Sequence, residues 1–109
     1  MSLEELTATA FDDYIVKHEY AVIEFGASWC EPCKHFQQVM LALQSEFSDF
    51  AFATIDIDKE SKLAEEFQVR SVPAILIIKQ GVIVYAESGA LSVEVFRELL
   101  NQAKMTTQG

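Results

Sequence analysis

Two cysteines are the only thiols in this 109-residue chain, and they stand together in Cys30-Glu31-Pro32-Cys33. Two are too few for the multi-bridge framework of a small secreted scaffold, and this spacing points to chemistry more than to a structural staple. At the start of a helix, residues three apart share one face at a Cα separation that a disulfide can span. The pair can then open and close with little backbone movement. Pro32 suits a first helical turn, where its missing N–H is not needed, and the aligned peptide dipoles place about half a positive charge at that end. This field favours the thiolate of Cys30. Being first, Cys30 is expected to be the more exposed sulfur, whereas Cys33 lies one turn deeper and can attack only a mixed disulfide already formed on Cys30. Position therefore makes Cys30 the nucleophile and Cys33 the resolving thiol. Two other readings are an inert core pair and half of a zinc site completed by His18 and His35. Zinc fits poorly, because Cys33 and His35 point to different sides of a helix and there is no second C-x-x-C; no metal site is expected.

The elements that must hold this pair follow from periodicity. Ala21 to Phe25 is a short apolar run, after which Phe36, Val39, Met40, Leu43 and Phe47 recur at helical spacing. A strand so apolar around Glu24 is expected to be covered on both faces, which buries Glu24. In open α/β sheets the site lies beyond the carboxyl ends of the strands, and the loop Gly26 to Trp29 delivers Cys30 there. Phe50 to Ile57 reads as the next strand, and Asp58 as the cap of a helix running to about Phe67, completing a βαβ unit. Ala74 to Ile78 and Val82 to Ala86, joined by Lys79-Gln80-Gly81, have hairpin chemistry, so the sheet is mixed. Ser92 caps a last helix with the stripe Phe96, Leu99, Leu100 and Ala103; an opening helix covers about Thr9 to His18, and Leu3 to Leu6 reads as a short edge strand. The polar stretch from Lys104 to Gly109 is expected to be a frayed tail.

Composition narrows the function classes. At this length one domain spanning 1–109 is expected, and 50% hydrophobic with 23% charged residues excludes disordered and collagen-like chains. Eight basic against seventeen acidic residues give a net charge of -9, which disfavours nucleic acid and anionic membrane surfaces as partners. The longest apolar run, Val72 to Ile78, is far short of the ~20 residues a spanning helix needs. Glu4 and Glu5 stand where a secretory leader would be cationic, so the chain reads as cytoplasmic.

Trp29-Cys30-Glu31-Pro32-Cys33-Lys34, the later Ser71-Val72-Pro73-Ala74, Gly81, and Gly89-Ala90-Leu91-Ser92 resemble the thioredoxin family, a likeness that runs from about Leu6 to Gln102. The resemblance implies an α/β thioredoxin fold, with a central mixed sheet of four or five strands flanked by about four helices. It also implies reduction of protein disulfides through a Cys30-Cys33 redox-active disulfide, with no bound cofactor and electrons from an NADPH-dependent thioredoxin reductase. Cys30 and Cys33 match the family's nucleophile and resolving thiol, and Trp29 the flat residue packed beside them. Pro73 matches a cis-proline opposite the disulfide. The carbonyl and N–H of Val72 would pair with an extended substrate segment, in a groove that Gly89 and Ala90 adjoin. Glu24 takes the place of a buried acid, usually Asp; raised by burial, it becomes the candidate proton acceptor for Cys33. Four departures bear on substrate range, potential and reductase recognition. Gly26 stands where an aromatic is common, Thr54 where a Lys often pairs with the acid, Gln38 where a Pro is frequent, and Glu31 where Gly is usual. Glu31 and Pro32 are thus the tuning positions. A competing class is a thioredoxin-fold binding or chaperone-accessory module in which redox turnover is secondary.

Overall fold

Side chains alternate across a strand, so the apolar run after Tyr20 must send its residues to two opposite faces and needs helices on both. A computed structural model describes residues 3–105. In chain order it contains β1 (Glu4–Glu5), α1 (Ala8–Lys17), β2 (Tyr20–Gly26), α2 (Glu31–Gln44), β3 (Phe50–Asp56), α3 (Ser61–Glu66), β4 (Ala74–Lys79), β5 (Val82–Ser88) and α4 (Val93–Met105). The strands form one sheet in the order β1-β3-β2-β4-β5. β2 is central, parallel to β3 and antiparallel to β4, and the hairpin adds β5 antiparallel to β4. The sheet is therefore mixed and five-stranded, with four helices.

The alternation along β2 divides the core. Ala21, Ile23 and Phe25 pack with Phe11, Tyr14, Leu63 and Ala64 of α1 and α3, whereas Val22 packs with Phe36, Met40 and Leu43 of α2 and Phe96 and Leu100 of α4. Glu24 follows Val22 by two residues and so shares its face, the one toward α2. Phe36 and Phe96 meet edge to face, with centroids 4.9 Å apart, which fixes α2 against α4. The hairpin turns through Gln80 and Gly81, both at positive φ (52° and 79°), the combination whose twist matches that of paired strands.

Three expected boundaries move. The helix placed from Asp58 to about Phe67 is only Ser61–Glu66, with Glu60 at its N-cap position. The Asp56 carboxylate accepts the N–H groups of Asp58 (2.8 Å) and Lys59 (3.3 Å), a local turn that competes with helix and delays its start. Glu60 in turn accepts the Ala8 N–H at 3.0 Å, satisfying the start of α1. At the other end, α4 runs through Lys104 to Met105 where a tail was expected. An ion pair from Lys104 to Asp49 (2.9 Å) and the bond from the Lys79 ammonium to the Lys104 carbonyl (3.1 Å) hold its last turn. The remainder of that expected tail, 106–109, lies outside the described residues. β5 runs two residues beyond Ala86, to Ser88. Among the described residues no helix is long and apolar enough to cross a membrane.

Candidate active site

β2 ends at Gly26, and the loop that follows brings the chain over the carboxyl end of the sheet to Cys30, the N-cap residue of α2. The N–H of Cys30 bonds to the Ala27 carbonyl at 3.1 Å, which shapes the loop. Its Sγ accepts the N–H of Cys33 at 3.1 Å, so a sulfur does the work a Ser or Asp oxygen does at other helix starts. A developing thiolate on Cys30 would meet both that donor and the positive end of the helix dipole. Cys30 and Cys33 are joined as a disulfide, with Cα atoms 5.3 Å apart. Cys30 is 4% exposed and Cys33 0%, so Cys30 is the outer sulfur of a pair that is largely covered. Ala27, Ile57 and Val72 pack against it.

The wall opposite α2 comes from the segment before β4. Val72-Pro73 is a cis peptide, and Val72, far from the cysteines in sequence, packs against the cluster they form with Ala27. Within the described residues, no backbone hydrogen bond engages the N–H or carbonyl of Val72. The Pro73 carbonyl accepts the N–H of Gly89 at 2.8 Å, which ties the exposed Gly89-Ala90 segment to this wall. Trp29, expected beside the cysteines, stands at the rim, 65% exposed, with its indole N–H donated to the Asp58 carboxylate at 2.9 Å. With Ile57, Val69, Arg70, Ser71 and Val72 it lines a groove of about 280 Å³. Glu31 is exposed and paired with Lys34 one turn on, at 3.2 Å.

Glu24 is fully buried, 0% exposed. Its neighbours across the sheet are Thr54 on β3 and Ile75 on β4, neither a cation. Oε1 accepts a hydrogen bond from the Gln37 amide at 3.3 Å, while Oε2 has no partner. Burial drives its pKa from 4.5 up to about 7, partly opposed by the Gln37 bond. A Cβ on residue 26 would collide with Oε2, so any side chain there would make the Glu24 carboxylate move. Glu24 and Gly26 line a cleft of about 360 Å³ that reaches Thr54 and Gln37. Among the described residues no group of three or more His, Cys, Asp or Glu side chains is placed to hold a metal ion.

Residues 2–102 match the family Thioredoxin. The chain belongs to the thioredoxin family. It is a thiol-disulfide oxidoreductase, a conclusion that rests on this membership together with the Cys30-Cys33 pair. The chain is 34% identical over 99 residues to a thioredoxin of Buchnera aphidicola, covering 89% of this chain and 91% of that one. Among solved structures it superposes with TM-score 0.87 on a mutant thioredoxin from Halobacterium salinarum, at 26% identity, covering 98% of this chain and 95% of that one. Mitochondrial thioredoxin 3 of Saccharomyces cerevisiae in its oxidized form gives a TM-score of 0.84 at 28% identity, covering 92% and 94%.

Against this thioredoxin frame, sequence reasoning missed Gln37 and Asp58 as members of the site. A signal for Gln37 was present: it follows Cys33 by four residues and so shares its helix face. None existed for Asp58, because only the folded chain brings it to Trp29.

Proposed function

We propose that this thioredoxin-family protein, acting as one domain in the cytoplasm, reduces disulfides of protein substrates and is itself re-reduced by an NADPH-dependent thioredoxin reductase. The observation that carries this reading is Cys30 at the N-cap of α2, its sulfur receiving the Cys33 N–H, with the unpaired backbone of Val72 across from it. An extended substrate segment bonds to the Val72 N–H and carbonyl, with Trp29, Pro73, Gly89 and Ala90 around it. The Cys30 thiolate attacks one substrate sulfur; that S–S bond breaks, one substrate thiolate leaves, and a mixed disulfide remains. Cys33 then passes its proton to the Glu24 carboxylate and attacks the Cys30 sulfur, and the second substrate thiolate departs. The substrate has gained two electrons and the protein is left with its Cys30-Cys33 disulfide, which two electrons from the reductase reopen. An acid whose pKa lies near 7 suits this transfer, since it is partly ionised at neutral pH and so ready to accept a proton.

Reduction of insulin by dithiothreitol, with and without the protein, tests the activity; acceleration is expected, and its absence favours a binding module. Turnover with NADPH and a thioredoxin reductase tests the electron source.

A further inference from the structure

We propose that Gln37 is the positioning residue of the proton step: its amide holds Oε1 of Glu24 and turns Oε2 toward a cleft that Gly26 keeps open, and the proton leaves Glu24 for solvent by that cleft. This rests on the reading of Glu24 as the acceptor for Cys33. Three independent observations meet here. Cys33 and Gln37 are one turn apart on α2, so the side chain that reaches Glu24 lies on the same helix face as the sulfur that must lose its proton. Oε2 is buried without a partner, a costly arrangement for a structural carboxylate and a useful one for a group that must exchange protons. Any side chain at position 26 would press on that oxygen, and the residue there is glycine. The cleft of about 360 Å³ has room for several waters at roughly 30 Å³ each.

The charged groups around the cleft are Glu5 on β1, Asp56 on β3, Lys34 on α2 and Lys59 in the turn before α3; β4 presents only Ile75 to Glu24. Lys59 and Lys34 are engaged by Glu5 and Glu31 respectively. His35, the imidazole on α2, is exposed and two positions from Gln37, hence off this face. A titration near neutrality on this face therefore belongs to Glu24.

In the oxidised protein, carboxyl carbon NMR of Glu24 should follow its titration directly, without turnover. Gln37→Leu removes a bond that favours the charged form, so the midpoint should rise. In stopped-flow reduction of a disulfide peptide, release of the second thiol at pH 7 should slow by about tenfold, with the first attack unchanged. In a Glu24→Gln background the same substitution should change nothing beyond about twofold. Gly26→Ala should slow the second step as well, and Glu24→Asp in that background, a shorter acid that relieves the collision, should restore it. An unmoved Glu24 midpoint in Gln37→Leu, an equal effect of that change with and without Glu24, or failure of the shorter acid to rescue overturns the inference and leaves the base role standing. Wild-type resolution in Glu24→Gln alone removes the base role itself.

Discussion

Trp29 donates its indole N–H to the Asp58 carboxylate at 2.9 Å, joining the loop that carries Cys30 to the turn after β3. The bond sits at the surface and holds a largely exposed ring in one orientation, as one wall of the groove beside the cysteines. Asp58→Ala should free the ring. A net hydrogen bond of about 1 kcal/mol corresponds to roughly fivefold in an equilibrium, so KM for a protein disulfide should rise several-fold. The rate with a small disulfide such as oxidised glutathione, which needs no groove, should stay unchanged. Equal losses on both substrates would show that Asp58 supports the cysteine loop itself.

The cysteine roles are tested by trapping. Cys30→Ser should abolish turnover, whereas Cys33→Ser should accumulate mixed disulfides on Cys30, visible as mass additions that dithiothreitol removes. The basis is that Cys30 is the outer sulfur and Cys33 is fully covered. Adducts on Cys33 in the Cys30→Ser protein would reverse the assignment.

Stability should depend on pH through Glu24. The folded protein holds this proton up to about pH 7, whereas a free Glu releases it near 4.5. Between those values the native state binds the proton and the unfolded chain does not, so stability is greatest below 4.5 and falls as pH rises to 7. At roughly 1.36 kcal/mol per pKa unit the loss is of order 3 kcal/mol. Urea unfolding of the oxidised protein at pH 5 and pH 8 should show this fall. Glu24→Gln should largely flatten it and be the more stable protein at pH 8. An equally steep fall in the variant would assign the pH dependence to other groups.

Glu31 opposes a thiolate on Cys30, but its ion pair with Lys34 is exposed and offsets part of that effect. Glu31→Gln removes the anion and releases the lysine, so both changes favour the Cys30 thiolate. The reduced form gains, and the potential against glutathione should become less negative by under about 30 mV, a tenfold change for a two-electron couple. A more negative potential would mean that Glu31 acts through something other than charge.

How much was legible in the sequence depends on the range of the interaction involved. The strand at Ala21 to Phe25, the hairpin at Gly81, the Ser92 cap and the Cys30-Cys33 pair rest on periodicity, turn chemistry or a spacing within one helical turn, all properties of neighbouring residues. Burial of Glu24 was legible too, because a residue inside an unbroken apolar run has no water-facing side to turn to. The late start of α3 was not, since Asp56 can satisfy the N–H groups of Asp58 and Lys59 as readily as a helix can, and sequence alone does not decide between them. Nor was the bond from Trp29 to Asp58, or the persistence of α4 to Met105, which depends on Asp49 and Lys79. The reach of Gln37 to the Glu24 carboxylate belongs to this second kind. It arises where α2 packs over β2, and packing of one element on another, with its demands on distance and on buried polar atoms, is decided only by the tertiary structure.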